Sequence, residues 1–148
     1  MRLILTAAAL SVAAACSGPT VSTETPTAVQ TLTAPTEDAR FIAVMSYADW
    51  CGSCKALDPK VKAVQAANTF DGVEFATIDY TSRDADAFFA DAETLGVADA
   101  MRATFPDSVK TGRLYLVNLD SGEVVGTVDK SMDEAAITAA ITEAAALS

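Results

Sequence analysis

The sequence of 148 residues contains no histidine and only three cysteines. Without histidine, the chain has no imidazole to bind a metal ion or to act as a general base near neutral pH. Basic residues are also scarce, because ten Lys and Arg stand against twenty Asp and Glu, a formal net charge of −10. Nucleic-acid binding needs clustered cations to neutralise phosphates, so this balance argues against a nucleic-acid partner. The length allows one domain with extensions.

No apolar run is long enough to cross a bilayer as a helix, which takes about 20 residues. The longest run near the start extends from Leu3 to Ala15 and follows Arg2. A short apolar core behind a positive residue is typical of a signal peptide. We therefore predict a signal peptide over residues 1–15.

Small residues stand directly before Cys16, in the stretch Val12-Ala13-Ala14-Ala15-Cys16. This stretch resembles the lipobox of bacterial lipoproteins, whose cysteine is acylated and becomes the first residue after cleavage, although that family usually has Leu where this chain has Ala13. Two or three acyl chains, at ~0.8 kcal/mol per buried CH₂, give stable attachment. We predict lipidation at Cys16. An ordinary secretory signal and an uncleaved anchor remain alternatives, and all three place the remaining chain outside the cytoplasm. With the lipid, the chain is expected on the periplasmic side of a bacterial membrane.

Residues 16–36 are predicted to be the lipidated cysteine followed by a tether. Thr recurs throughout this stretch together with Pro19, Pro26 and Pro35, and its apolar residues follow no period. Such a composition buries too little apolar surface to offset its conformational entropy. About 20 flexible residues reach roughly 25 Å, which lifts a small domain off the membrane. Ser17, rather than Asp, follows the cysteine, and by the same resemblance this favours the outer over the inner membrane.

Residues 37–148 have the regular apolar patterns of a folded domain. An apolar run at Phe41–Tyr47 predicts a strand buried on both faces, and Val73–Asp79 predicts a second strand. A helix is predicted after Cys54 to about Ala67, and one or two helices within Ala85–Phe105. Two strands joined by a turn are predicted at Leu114–Val117 and Glu123–Val128.

A final helix is predicted to begin at a capping box formed by Ser131 and Glu134. The apolar face of this helix consists of Ile137, Ile141, Ala144 and Leu147.

This order of elements predicts an α/β fold with a mixed central sheet and helices on both faces. The sequence of elements is β-α-β, then α, then β-β-α. A β-α-β crossover implies parallel strands, whereas a short turn implies an antiparallel pair.

The motif that indicates a specific chemistry is Cys51-Gly52-Ser53-Cys54, at the predicted junction of a buried strand and a helix. A helix N-terminus favours an anion, so it favours the thiolate of Cys51, while Cys54 lies one turn further along. This predicts Cys51 as the attacking thiolate and Cys54 as the resolving thiol. Lys55 occupies the place where a haem-attachment motif has His. A structural disulfide remains an alternative, although closing so short a loop gains little chain entropy.

The stretch Tyr47-Ala48-Asp49-Trp50-Cys51-Gly52-Ser53-Cys54-Lys55, followed by Pro59, resembles the thioredoxin family. The residues of this motif are especially similar to those in the periplasmic domain of the transmembrane Dsb-type disulfide reductases. The resemblance covers about residues 37–148 and implies a thioredoxin-like fold. It also implies that Trp50 belongs to an apolar rim for partner chains and that Pro59 is the proline that kinks the first helix. The supporting residues around the two cysteines are therefore Trp50, Gly52, Ser53, Lys55 and Pro59.

Two departures from the family pattern concern the surroundings of the cysteines. The family has a buried acid six residues before the first cysteine, where this chain has Met45; Asp49 and Asp58 are the nearby acids. The family also has a cis-proline just before its third core strand. Here that segment reads Lys110-Thr111-Gly112-Arg113-Leu114, and Pro106 lies further upstream.

The sequence therefore predicts an extracytoplasmic protein-disulfide reductase that needs no cofactor or resident metal. Its expected partners are disulfide-containing exported proteins, a membrane thiol electron donor, and the membrane itself through the lipid. Three alternatives remain open. They are a thiol oxidase or isomerase, a lipoprotein that uses the fold only to bind a partner, and a metal cluster bridged between two chains.

Overall fold

Strands and helices alternate along residues 32–147, which are the residues that the computed structural model describes. In chain order the elements are β1 (Phe41–Tyr47), α1 (Gly52–Ala67), β2 (Val73–Asp79), α2 (Ala85–Thr94), α3 (Ala98–Thr104), β3 (Arg113–Asn118), β4 (Glu123–Asp129) and α4 (Glu134–Ala145). The stretch 85–105 thus forms two helices. The predicted signal peptide and Cys16 lie outside the described residues.

The sheet has the strand order β2-β1-β3-β4. Strands β1 and β2 run parallel and are joined by α1, whereas β3 is antiparallel to both β1 and β4. The predicted mixed sheet is confirmed. A crossover helix is the usual connection between neighbouring parallel strands, and the turn around Gly122 is short enough only for an antiparallel pair.

Strand β1 lies at the centre of two hydrophobic cores. Its residues from Phe41 to Ser46 are all buried, as the continuous apolar run predicts. Successive side chains point to opposite faces of a strand. Ala43 and Met45 therefore pack with α1 and α4, while Ile42 and Val44 pack with α2 and α3. Helices accordingly cover both faces of the sheet.

The core beneath α2 and α3 contains a series of contacts between aromatic rings. Phe105 contacts the ring of Phe88 at 5.9 Å and that of Tyr115 at 5.3 Å between centroids, both in edge-to-face geometry. Such pairs contribute about 0.5–1.5 kcal/mol each beyond the area they bury. Phe88, Met101 and Phe105 are therefore core residues.

Two details of the last helix differ from the sequence prediction. The N-cap of α4 is Asp133, whose carboxylate accepts the N–H of Ala136 at 2.8 Å. Ser131 does not open the helix, because its N–H and hydroxyl are both donated to Asp129 at the end of β4. Leu147 lies beyond the end of α4 and is 62% exposed, so it does not belong to the buried face.

No helix among residues 32–147 has the length and apolar character needed to cross a membrane.

Three chain segments meet at one end of the sheet. The turn between β1 and α1 carries both cysteines, and the loop after β2 lies beside it. Because β3 is antiparallel to β1, its first residue, Arg113, pairs with Ser46 near the end of β1. The segment before β3 is thereby brought to the cysteines.

Candidate active site

Cys51 is the N-cap residue of α1. Its backbone is extended, with φ −88° and ψ 108°, and its sulfur accepts the N–H of Cys54 at 3.2 Å. Unpaired N–H groups and the helix dipole give this end of a helix a partial positive charge. The position therefore favours a negative charge on the sulfur of Cys51.

Cys51 and Cys54 form a disulfide with a Cα–Cα distance of 5.3 Å. The two sulfur-bearing residues differ in access to solvent, since Cys51 is 8% exposed and Cys54 is fully buried. The Sγ of Cys54 lies 3.7 Å from the carbonyl oxygen of Ser46. Cys51 is therefore the more accessible of the two residues to an incoming sulfur.

Trp50 is held against the loop after β2. Its indole N–H donates to the carbonyl of Thr81 at 3.0 Å, and the guanidinium of Arg83 lies 4.3 Å from the ring centroid. The Thr81 hydroxyl accepts the N–H of Asp49 at 3.0 Å and donates to Asp79. Trp50 nevertheless remains 45% exposed. Fixed polar groups thus hold an accessible aromatic surface beside the disulfide.

Arg83 has an unusual backbone conformation, with φ +62°. Among residues 32–147, Arg83 is the one non-glycine residue whose φ is positive. This conformation costs an ordinary residue roughly 1–2 kcal/mol. Neither Arg83 nor Thr81 carries a sequence signal that identifies it as part of the site.

Gly112 lies directly over the disulfide, in the segment where the family has its proline. A Cβ at this position would stand 2.7 Å from the Cβ of Ser53 and 3.3 Å from the Sγ of Cys51. The backbone φ of Gly112 is +87°. Only a residue without a side chain fits both the conformation and the space. All peptide bonds between residues 32 and 147 are trans, including the one before Pro106.

The segment carrying Gly112 is tied to the end of β1 by two hydrogen bonds. The N–H of Gly112 donates to the carbonyl of Ser46 at 2.9 Å, and the Ser46 hydroxyl donates to the carbonyl of Lys110 at 2.7 Å. Ser46 is the buried polar residue among residues 32–147. Its sequence position did not identify it as part of the site.

Met45 occupies the position of the family's buried acid and is 2% exposed. It lines a small cavity of about 70 Å³ together with Leu114 and Asp58. The Asp58 carboxylate pairs with Lys62 at 2.7 Å. Asp49 is exposed, and its N–H is bound by Thr81. Of these two acids, Asp58 is thus the one that lines the same cavity as Met45.

The other predicted supporting residues lie on the first two turns of α1. Gly52 and Lys55 are exposed, and Ser53 is partly buried beneath Gly112. Pro59 lies inside α1, where it has no N–H to donate to the carbonyl of Lys55.

The thioredoxin family model matches residues 26–93, a range that includes the cysteine pair, β1, α1 and β2. The chain has a thioredoxin-like domain. This fold and the Cys51–Cys54 disulfide support thiol–disulfide oxidoreductase activity. A search of curated proteins finds no match to the chain.

Several solved structures are similar to the thioredoxin-like domain. Trxlp from Edwardsiella tarda EIB202 is 18% identical over 72% of this chain and 84% of its own, with a TM-score of 0.47. A point-mutant thioredoxin from Halobacterium salinarum NRC-1 is 25% identical over 75% of this chain and 80% of its own, with a TM-score of 0.46. StoA from Bacillus subtilis is 16% identical over 71% of this chain and 84% of its own, with a TM-score of 0.48.

Proposed function

We propose that the chain is an extracytoplasmic disulfide reductase that acts on exported proteins through Cys51 and Cys54. One observation carries the proposal. Cys51 lies at the N-cap of α1 and is 8% exposed, whereas Cys54 is fully buried. This difference gives the two cysteines separate roles in thiol–disulfide exchange.

The first step is an attack by the Cys51 thiolate on a substrate disulfide. A bond forms between the Cys51 sulfur and one substrate sulfur, and the other substrate sulfur leaves as a thiolate that takes up a proton. The N–H of Cys54, at 3.2 Å, and the helix dipole stabilise the thiolate before the attack.

The second step releases the substrate. The Cys54 thiol gives up its proton, and its sulfur attacks Cys51 to re-form the Cys51–Cys54 disulfide. The second substrate sulfur leaves as a thiolate and is protonated. Two electrons have then passed from the enzyme to the substrate, and a membrane dithiol donor restores the two enzyme thiols by the reverse exchange.

Trp50 gives the substrate a surface on which to dock. Its ring is accessible beside Cys51 and is held in place by Thr81 and Arg83. A rigid aromatic side chain provides contact area at a low cost in side-chain entropy, which suits a site that must accept several partner proteins.

Trapping with Cys54→Ala tests the proposed roles. This variant lacks the resolving thiol, so it is expected to accumulate mixed disulfides through Cys51, which mass spectrometry after acid quenching would identify. Cys51→Ser is the matched control and is expected to form no adduct. Absence of adducts with Cys54→Ala, or full function of Cys51→Ser in cells, would favour a binding protein over an enzyme.

The direction of electron flow follows from the reduction potential. Gly52 and Ser53 separate the cysteines without the histidine of strongly oxidising members, which favours a reducing potential. Equilibration with glutathione is expected to give a value well below about −200 mV. A value near −120 mV, typical of a strong oxidant, would falsify the reductase direction and support the oxidase.

We further propose that a lipid on Cys16 holds the domain to the periplasmic face of the outer membrane. The support is the stretch of small residues before Cys16 and the Thr- and Pro-rich segment that follows. Metabolic labelling with a fatty acid is expected to mark the wild type but not Cys16→Ser, and Cys16→Ser is expected to leave the membrane fraction. Equal labelling of both proteins would contradict the anchor.

A further inference from the structure

A groove of about 570 Å³ adjoins Cys51 on the side of Gly112. Ser53 and Gly112 line it next to Cys51, and Lys130, at the turn after β4, lines it as well. A Cβ at Gly112 would stand 3.3 Å from the sulfur of Cys51, so the absence of a side chain leaves space between the groove and this sulfur. A polypeptide whose disulfide reaches Cys51 therefore has room to place neighbouring residues in this groove.

Three cationic side chains line the groove, those of Lys110, Arg113 and Lys130. All three residues are exposed. In the part of the chain that the structure describes, none of the three has a carboxylate within ion-pair distance; the ion pairs there join Lys62 to Asp58 and Arg102 to Glu93. Three cations in one groove are notable in a chain of net charge −10.

Asp129 is the carboxylate in the groove. It accepts the N–H and the hydroxyl of Ser131, and these bonds lower its pKa below the ordinary value. Asp129 is therefore ionised at neutral pH. The groove still has more positive than negative groups, so it attracts anions overall.

We propose that this cationic groove binds acidic residues that flank the disulfide of a polypeptide substrate. The inference rests on the proposed reductase function and names its substrate class. Lys and Arg beside the reacting sulfur attract carboxylates on the approaching chain, which raises the rate of encounter. Since the groove is open to solvent, added salt is expected to weaken the effect.

Three peptide disulfides of equal length provide the test, with Glu, Ser or Lys on both sides of the cysteines. The reduced wild-type protein is expected to reduce the Glu peptide with a kcat/KM about tenfold above that of the Lys peptide at low salt, with the Ser peptide between them. At high salt the three values are expected to converge.

Charge variants locate the effect in the groove. The double variant Lys110→Ser, Lys130→Ser is expected to lose most of the preference for Glu, and Asp129→Asn is expected to increase it. The double variant Arg40→Ser, Lys62→Ser is the matched control, because neither residue lines the groove and both are exposed. This control changes the net charge equally and is expected to keep the preference. Thermal unfolding of each variant verifies that it is folded.

The outcomes separate this inference from the proposed function. Reduction of all three peptides at equal rates overturns the groove proposal and leaves the reductase intact. Failure to reduce any peptide counts against the reductase itself. Oxidised glutathione serves as a small anionic disulfide substrate for comparison with the peptides. If the charge variants change its reduction but not the order of the peptides, the groove binds a small anionic disulfide, and the polypeptide proposal is wrong.

Discussion

The two sides of the disulfide are built in different ways. On one side, the Thr81 flank (residues 79–83) holds Trp50 through side-chain hydrogen bonds and a cation–π contact. On the other, the Gly112 flank (residues 110–113) approaches Cys51 so closely that a side chain does not fit. The comparison shows that one site can combine specific polar contacts on one side with the absence of a side chain on the other. We expect substitutions to be more costly on the Gly112 flank.

The largest effect is expected for Gly112→Ala. The new Cβ meets Ser53 at 2.7 Å, and the residue must keep a φ of +87°. The positive φ costs roughly 1–2 kcal/mol and the overlap about 1–3 kcal/mol, so we expect the free energy of unfolding to fall by about 2–5 kcal/mol. Denaturant unfolding of the oxidised protein measures this.

Gly96→Ala is the control for the Gly112 variant. Gly96 has a φ of +70° but open space around its Cβ position, so only the conformational cost of about 1–2 kcal/mol applies. Equal losses for the two variants would show that the close approach to Ser53 and Cys51 contributes nothing to stability.

A smaller effect is expected for Arg83 on the Thr81 flank. Arg83→Ala and Arg83→Gly both remove the cation–π contact with Trp50, but only alanine keeps the cost of the positive φ. We therefore expect the glycine variant to be the more stable by about 1–2 kcal/mol. Paired thermal or denaturant unfolding measures the difference. A more stable alanine variant would mean that the backbone relaxes out of this conformation.

The smallest effect concerns Asp129 beside the Gly112 flank. The Ser131 hydrogen bonds lower the pKa of Asp129, so its contribution to stability is present above about pH 4 and is lost as pH falls through the lowered folded-state value. Ser131→Ala is expected to raise this pKa toward the ordinary range. An NMR titration of the Asp129 carboxyl checks the shift. An unchanged titration would indicate that the Ser131 hydroxyl does not stabilise the carboxylate.

The sequence indicates the elements of this fold because its apolar patterns are local and regular. The run at Phe41–Tyr47 predicts a strand buried on both faces, and the two cores on either side of β1 explain why every residue from Phe41 to Ser46 is apolar or hydrogen-bonded. The predicted start of α4 was wrong in detail. Ser131 and Asp133 both have capping side chains, and the competing acceptor at Asp129 decides between them.

The surroundings of the disulfide were harder to predict, because they depend on contacts between distant segments. Arg83 reaches Trp50 only through a backbone conformation that arginine rarely adopts. In the sequence, Gly112 is only part of a segment without proline, and its close approach to Cys51 depends on how β3 pairs with β1. The cationic groove likewise arises because Lys110 and Lys130 come together when β3 and β4 join the sheet.

The pairing of β1 with β3 also has a consequence for how the domain forms. Ser46 and Lys110 are 64 residues apart, and closing so long a loop is slower than forming the local β1-α1-β2 unit. In a newly made chain we therefore expect the helix start that carries the cysteines to form before the glycine segment covers it. Before β3 docks, both thiols would be more accessible than in the folded domain, where Cys51 is 8% exposed and Cys54 is fully buried.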